Sequence, residues 1–70
     1  KMTFMDLVYA MGYECKIDVE FFNVHEVKNY YFKNLEFGTC FELAEKYRNA
    51  QVGYFNVPRK NKISVYCIVR

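Results

Sequence analysis

The sequence predicts a single α+β domain in the order αββαββ, with two short helices on one face of a four-stranded, mostly antiparallel sheet. Three observations carry this expectation. Apolar residues recur at helical spacing at the start of the chain, the period changes to two at Cys15, and both patterns return in the second half.

The first helix is expected over residues 4–11. Thr3 stands as its N-cap with Asp6 three places on, a shorter relative of the capping box. Phe4, Leu7, Val8 and Met11 make its apolar stripe, and Gly12 offers a stop. Cys15, Ile17, Val19 and Phe21 then alternate with Lys16, Asp18 and Glu20, as in a strand with one face on a core and one in water. A turn over Asn23–Glu26 leads to a second strand, about Val27–Leu35. Its dense Tyr30, Tyr31 and Phe32 break the alternation, which admits a bulge and leaves the inward face unassigned.

Gly38-Thr39-Cys40-Phe41-Glu42 has a full capping-box spacing, so the second helix is expected to be capped by Thr39 and to end near Asn49. Cys40, Leu43, Ala44 and Tyr47 form its stripe, and Glu42 and Lys46 pair on its surface. Val52–Val57 reads as the third strand, Pro58–Asn61 as a turn and Lys62–Arg70 as the fourth strand. In that last strand Ile63, Val65, Cys67 and Val69 point inward, while Ser64, Tyr66, Ile68 and Arg70 point outward. The strand order stays open, because the helix between the hairpins lets either end strand become central.

Seventy residues allow one domain, 1–70, whose small core must be supplemented. Composition provides that: 53% of residues are hydrophobic, with seven Phe and seven Tyr, whose rings bury much area each. Three widely spaced cysteines are not the even framework of a secreted domain, and reduced thiols in a cytoplasmic protein are expected. No apolar run approaches the ~20 residues that span a membrane, and no signal peptide is expected. Net charge is +2 but uneven. Residues 1–38 hold four basic and six acidic side chains, and residues 39–70 hold six basic and two acidic, concentrated at Arg59, Lys60 and Lys62.

Nothing points to catalysis. Asp18 and Glu20, roughly 7 Å apart along one strand face, have the spacing of an inverting glycosidase pair. Lys16 shares their row and no cleft is implied, so a solvated face is the simpler account. Cys40, in the first turn of a helix, has a position that lowers a thiol's pKa, and His25 is the only histidine to serve it. Nothing brings the two together, and packing explains Cys40. Cys15, Cys67 and His25 lack the paired spacing of a metal site, and no glycine-rich phosphate loop is present. No catalytic, cofactor or metal residue is assigned, and an enzyme is not expected.

Two surfaces remain. On the sheet face opposite the helices, Tyr66 and Ile68, joined by Tyr54 and Phe22, are candidates for protein contact, including a homodimer formed sheet to sheet or edge to edge. At the basic turn, Arg59, Lys60 and Lys62 lie among Tyr54, Phe55 and Tyr66, a combination that could bind nucleic acid. Three cations give a salt slope of only about −2 to −3, so that binding would be weak.

The layout, with Thr3-Phe4-Met5-Asp6-Leu7, Lys16-Ile17-Asp18-Val19 and Lys62-Ile63-Ser64-Val65-Tyr66, resembles small uncharacterised αββαββ proteins of phages and mobile elements in Gram-positive bacteria. The resemblance implies an accessory protein that works by binding, such as an inhibitor of a host defence system, anti-CRISPR proteins among them. Inhibitors that mimic DNA are strongly acidic, whereas this chain is slightly basic. The implied mode is therefore docking on a protein surface.

Overall fold

Alternation along the first strand decides the layering. In the computed structural model, which describes all of residues 1–70, Ile17, Val19 and Phe21 are fully buried while their neighbours are not. The elements are α1 (Phe4–Ala10), β1 (Lys16–Asn23), β2 (Lys28–Leu35), α2 (Phe37–Lys46), β3 (Gln51–Arg59) and β4 (Lys62–Val69), the expected αββαββ order. The sheet order is β2-β1-β4-β3. Each hairpin is antiparallel, and the two are joined by β1 and β4 running parallel at the centre.

The core lies between the sheet and both helices. Phe4, Leu7 and Val8 of α1 and Cys40 and Ala44 of α2 meet the inner rows of β1 and β4, which supply Ile17, Val19, Phe21, Ile63, Val65 and Cys67. The Phe21 ring is the hub. It meets Phe4 edge-on with centroids 5.3 Å apart, Phe32 at 6.1 Å and Tyr47, tilted, at 4.7 Å. Burying one such ring contributes about 1.5–3 kcal/mol, a large share for a domain this small.

Local signals set the structure where nothing competes with them. The Thr3 hydroxyl accepts from the Asp6 N–H at 3.1 Å, and the Asp6 carboxylate accepts from the Thr3 N–H at 2.9 Å, so the shorter aspartate still closes the box. These bonds hold the Asp6 carboxyl below its ordinary value of 3.8. The helix stops at Ala10 with Met11 extended, one residue before the expected end, and no glycine in the chain has a positive φ.

Tertiary packing overrode the second capping box. α2 begins at Phe37, capped by Glu36 without a side-chain hydrogen bond, so Thr39 and Glu42 lie inside the helix. The Phe37 ring packs edge-on against Tyr13 at 4.9 Å, and the Cys40 N–H already donates to the Glu36 carbonyl at 3.0 Å. Apolar contact at Phe37 set the start in place of a polar cap. The helix ends at Lys46, short of Asn49, because Ala50 is fully buried beneath it and the chain must turn to reach β3.

β3 runs on to Arg59 and absorbs Pro58, which an edge strand tolerates because its missing N–H has no ladder partner to lose. The expected Pro58–Asn61 turn shrinks to Lys60 and Asn61, with Asn61 at φ 60°. The bulge in the second strand is present: pairing shifts between Ile17↔Leu35 and Val19↔Phe32, and Asn34 there has φ 55°. It turns Tyr30, Phe32 and Leu35 toward the core.

Between β1 and β2, the Asn23 side chain accepts from the N–H groups of His25 and Glu26 and tightens the turn. The turn closes on Val27 at φ 53°, a left-handed conformation that a β-branched residue adopts only under strain. Val27 is 76% exposed, so its side chain contributes little packing in return. Val27→Gly is expected to raise stability by about 1 kcal/mol. A higher midpoint in chemical denaturation with unchanged slope checks this.

Candidate functional site

The β1–β4 register builds the outer face as transverse rows. Glu20 of β1 lies opposite Tyr31 of β2 and Tyr66 of β4, and Tyr66 lies opposite Tyr54 of β3. One row therefore reads Tyr31–Glu20–Tyr66–Tyr54 across all four strands. Cross-strand neighbours on one face come within about 5 Å at Cβ, so the carboxylate stands between two tyrosine rings. The next row holds Asp18, Ser64 and Asn56, and the row on the other side holds Asn29, Phe22, Ile68 and Gln51.

The first two rows enclose a shallow recess of about 170 Å³, whose lining includes Asp18, Glu20, Tyr31, Tyr54, Asn56 and Tyr66. Tyr54 and Tyr66 are stacked, 5.3 Å between centroids and 17° between planes. Gly53 makes room for that stack: a Cβ there would lie 3.0 Å from the Tyr66 ring and 3.4 Å from its carbonyl oxygen. Lys33 places its ammonium 5.5 Å from the Tyr31 ring centre. Glu20 accepts a hydrogen bond from the Asn29 side-chain amide and forms no ion pair.

Asp18 is committed elsewhere. Lys62, 7% exposed, directs its ammonium to the Asp18 carboxylate at 2.9 Å and to the Asn34 side-chain oxygen. Burial opposes ionisation of Asp18, but the Asn34 N–H at 2.8 Å and the Lys62 ammonium outweigh it and hold its carboxyl below 3.8. The open, solvated carboxylate row expected of β1 is thus divided: Asp18 is half-buried and paired, and only Glu20 keeps an unmatched charge.

The sequence candidates fall into distinct places. Tyr54 and Tyr66 come together in the recess. Phe22 and Ile68 are neighbours in the β1–β4 register and half-buried like Tyr66, but they lie one row along and do not line the recess. Arg59 and Lys60 remain exposed at the β3–β4 turn. Lys62 does not join them, because its charge is neutralised inside the outer face by Asp18; the basic turn therefore carries two available cations instead of three. Tyr31 was missed, since its inward or outward direction depends on the bulge at Asn34. A second recess of about 470 Å³, among Tyr9, Met11, Tyr13, Phe37 and Phe41 at the helix side, was also missed. Tyr9, off the apolar stripe of α1, and Tyr13, in the turn beyond that helix, were the available signal.

Cys40 and His25 lie at opposite ends of β1. Cys40 reaches the Leu35 carbonyl, opposite Ile17, whereas His25 sits in the turn beyond Asn23, about 20 Å away by strand rise. Burial pushes the Cys40 and Cys67 thiols up to about 12, the reverse of an activated nucleophile. All three cysteines are free, and no three His, Cys, Asp or Glu side chains converge as metal ligands. No helix is long and apolar enough to cross a membrane. Neither a family model, a curated protein nor a solved structure matches the chain.

Two measurements check this site. Asp18→Asn leaves Lys62 buried without its counter-charge and is expected to cost about 2–3 kcal/mol near neutral pH, less than for a fully enclosed pair because Asp18 is 20% exposed. A carboxyl whose pKa is lowered by folding gives stability that is present above its unfolded value and lost as the pH falls through its folded one. The gap between native and variant stability should therefore close below about pH 4. In the native protein, Cys40 and Cys67 should resist alkylation by a neutral iodoacetamide reagent while the half-exposed Cys15 reacts first, as peptide mapping would show.

Proposed function

We propose that this chain is a non-catalytic protein-interaction module that binds a partner through the outer face of its sheet and also self-associates. The observation that carries the reading is the uncovered row Tyr31–Glu20–Tyr66–Tyr54, with both helices on the other face. Tyrosines supply large contact area at low conformational cost, which suits recognition of a protein surface. Burial of the Cys40 and Cys67 thiols, away from any base, supports a role without chemistry. Three free cysteines support a reducing, cytoplasmic setting, and the resemblance to phage and mobile-element proteins supports an accessory role such as inhibition of a host defence system.

The alternative, nucleic-acid binding at the 59–62 turn, has less support. Asp18 and Glu20 share the recess with the tyrosines that would stack bases, and a carboxylate there repels phosphate. Arg59 and Lys60 alone would give a salt slope of no more than about −2.

Edge-to-edge contact is the better-supported mode of self-association. The β2 edge is blunted by Lys28, Lys33 and the left-handed Asn34. The start of β3 is latched by the N-terminal segment, through the Val52 N–H to the Met2 carbonyl at 2.9 Å and the Phe4 N–H to the Ala50 carbonyl at 3.0 Å. Beyond Gly53 that latch ends, and Tyr54, Phe55 and Val57 are 66%, 44% and 58% exposed. Only the short stretch Tyr54–Val57, between the register shift after Val52 and Pro58, is left open there for strand pairing with a second copy. Sedimentation velocity at high micromolar concentration should detect a dimer that Val57→Lys converts to monomer without loss of fold. A monomeric parent protein under those conditions sinks the self-association reading.

A further inference from the structure

We infer that the outer-face recess is a receptor for an arginine side chain presented by a protein partner. This rests on the reading of that face as an interaction surface, and it names the chemistry of what binds there. Glu20 is the only carboxylate on the row, and it has no counter-cation: its one hydrogen bond comes from a neutral amide. Asp18, by contrast, is already matched by Lys62. Tyrosine rings flank Glu20 on both sides, Tyr31 through the β1–β2 pairing and Tyr66 through the β1–β4 pairing.

An aromatic face attracts a cation through its quadrupole, and Lys33 over Tyr31 is an instance already present on this surface. Arginine fits better than lysine for two reasons. Its flat guanidinium can lie along the stacked Tyr54–Tyr66 pair, and its fork of donors can address the Glu20 carboxylate together with the Asn56 and Ser64 side chains in the same lining. A phosphate or carboxylate ligand would meet Glu20 as a like charge, and a purely apolar side chain would bury it without a partner. Gly53 is the positioning residue, since a side chain there would displace Tyr66.

The test is an NMR titration of the native chain with capped Gly-Arg-Gly, Gly-Lys-Gly and Gly-citrulline-Gly peptides, alongside a short oligothymidylate. The arginine peptide should move the Tyr31, Tyr54 and Tyr66 ring resonances saturably at millimolar concentration, with lysine weaker and the uncharged citrulline at least about ten-fold weaker. Glu20→Gln, which keeps the Asn29 contact, should weaken the arginine peptide about five-fold or more while leaving the remaining amide spectrum unchanged. Equal response to arginine and citrulline, or an unaffected Glu20→Gln variant, overturns the arginine assignment while the interaction surface stands. Saturable binding of the oligothymidylate to the tyrosine row in place of the arginine peptide overturns both readings.

Discussion

At the centre of the sheet, β1 and β4 come from opposite halves of the chain and lie parallel in unbroken register, and everything else is arranged around that seam. The register sets Lys16 directly opposite Lys62, an unfavourable juxtaposition that two separate partners relieve. Lys16 turns toward Glu36 at 3.7 Å, and Lys62 turns inward to Asp18 and Asn34. The second of these ties three strands together, because Lys62, Asp18 and Asn34 belong to β4, β1 and β2. An uncompensated buried ammonium would be costly, so a slipped register is penalised beyond the loss of ladder bonds.

The same seam gives the two faces of the sheet their different characters. On the inner side it aligns Ile17 with Ile63, Val19 with Val65 and Phe21 with Cys67, a continuous apolar floor for the helices. On the outer side it aligns Asp18 with Ser64, Glu20 with Tyr66 and Phe22 with Ile68, so polarity changes from row to row along the strands. A hydrophobic outer face would read as a simple sheet-to-sheet interface. The observed face is banded: the tyrosine–carboxylate row lies between the row of Asp18, Ser64 and Asn56 and one in which Phe22 and Ile68 are flanked by Asn29 and Gln51.

Coverage is uneven along β3. Its first residues are held by the N-terminal segment and by Ala50, buried below, whereas the residues beyond Gly53 are exposed on both faces. The molecule is elongated, 33 × 21 × 20 Å, and at the β3–β4 tip Val57, Arg59 and Lys60 are exposed. Phe21, ringed by Phe4, Phe32 and Tyr47, marks the well-packed end. A domain this small has no second core to protect that tip, so Arg59 and Lys60 keep the turn itself charged and solvated, while the Tyr54–Val57 stretch before it is the part of the edge left open.

The sequence alone determined the number, type and order of the elements, because period-two and period-3.6 patterns report burial of one face whatever that face meets. It also determined the Thr3–Asp6 cap and the outward row of β1, where neighbouring residues suffice. Only the tertiary structure decided the strand order, since the connection through α2 permits more than one arrangement and the choice rests on which long-range pairing buries the most apolar surface. It decided the start of α2 as well, where the Phe37–Tyr13 contact outweighed a polar cap at Thr39. Lys62 shows the limit most directly. Beside Arg59 and Lys60 it reads as part of a basic turn, yet a carboxylate 44 positions earlier in the chain draws it into the outer face. Tyr31, Glu20, Tyr66 and Tyr54 are likewise scattered along the chain, and only three strand registers, one of them parallel, bring them into a single row.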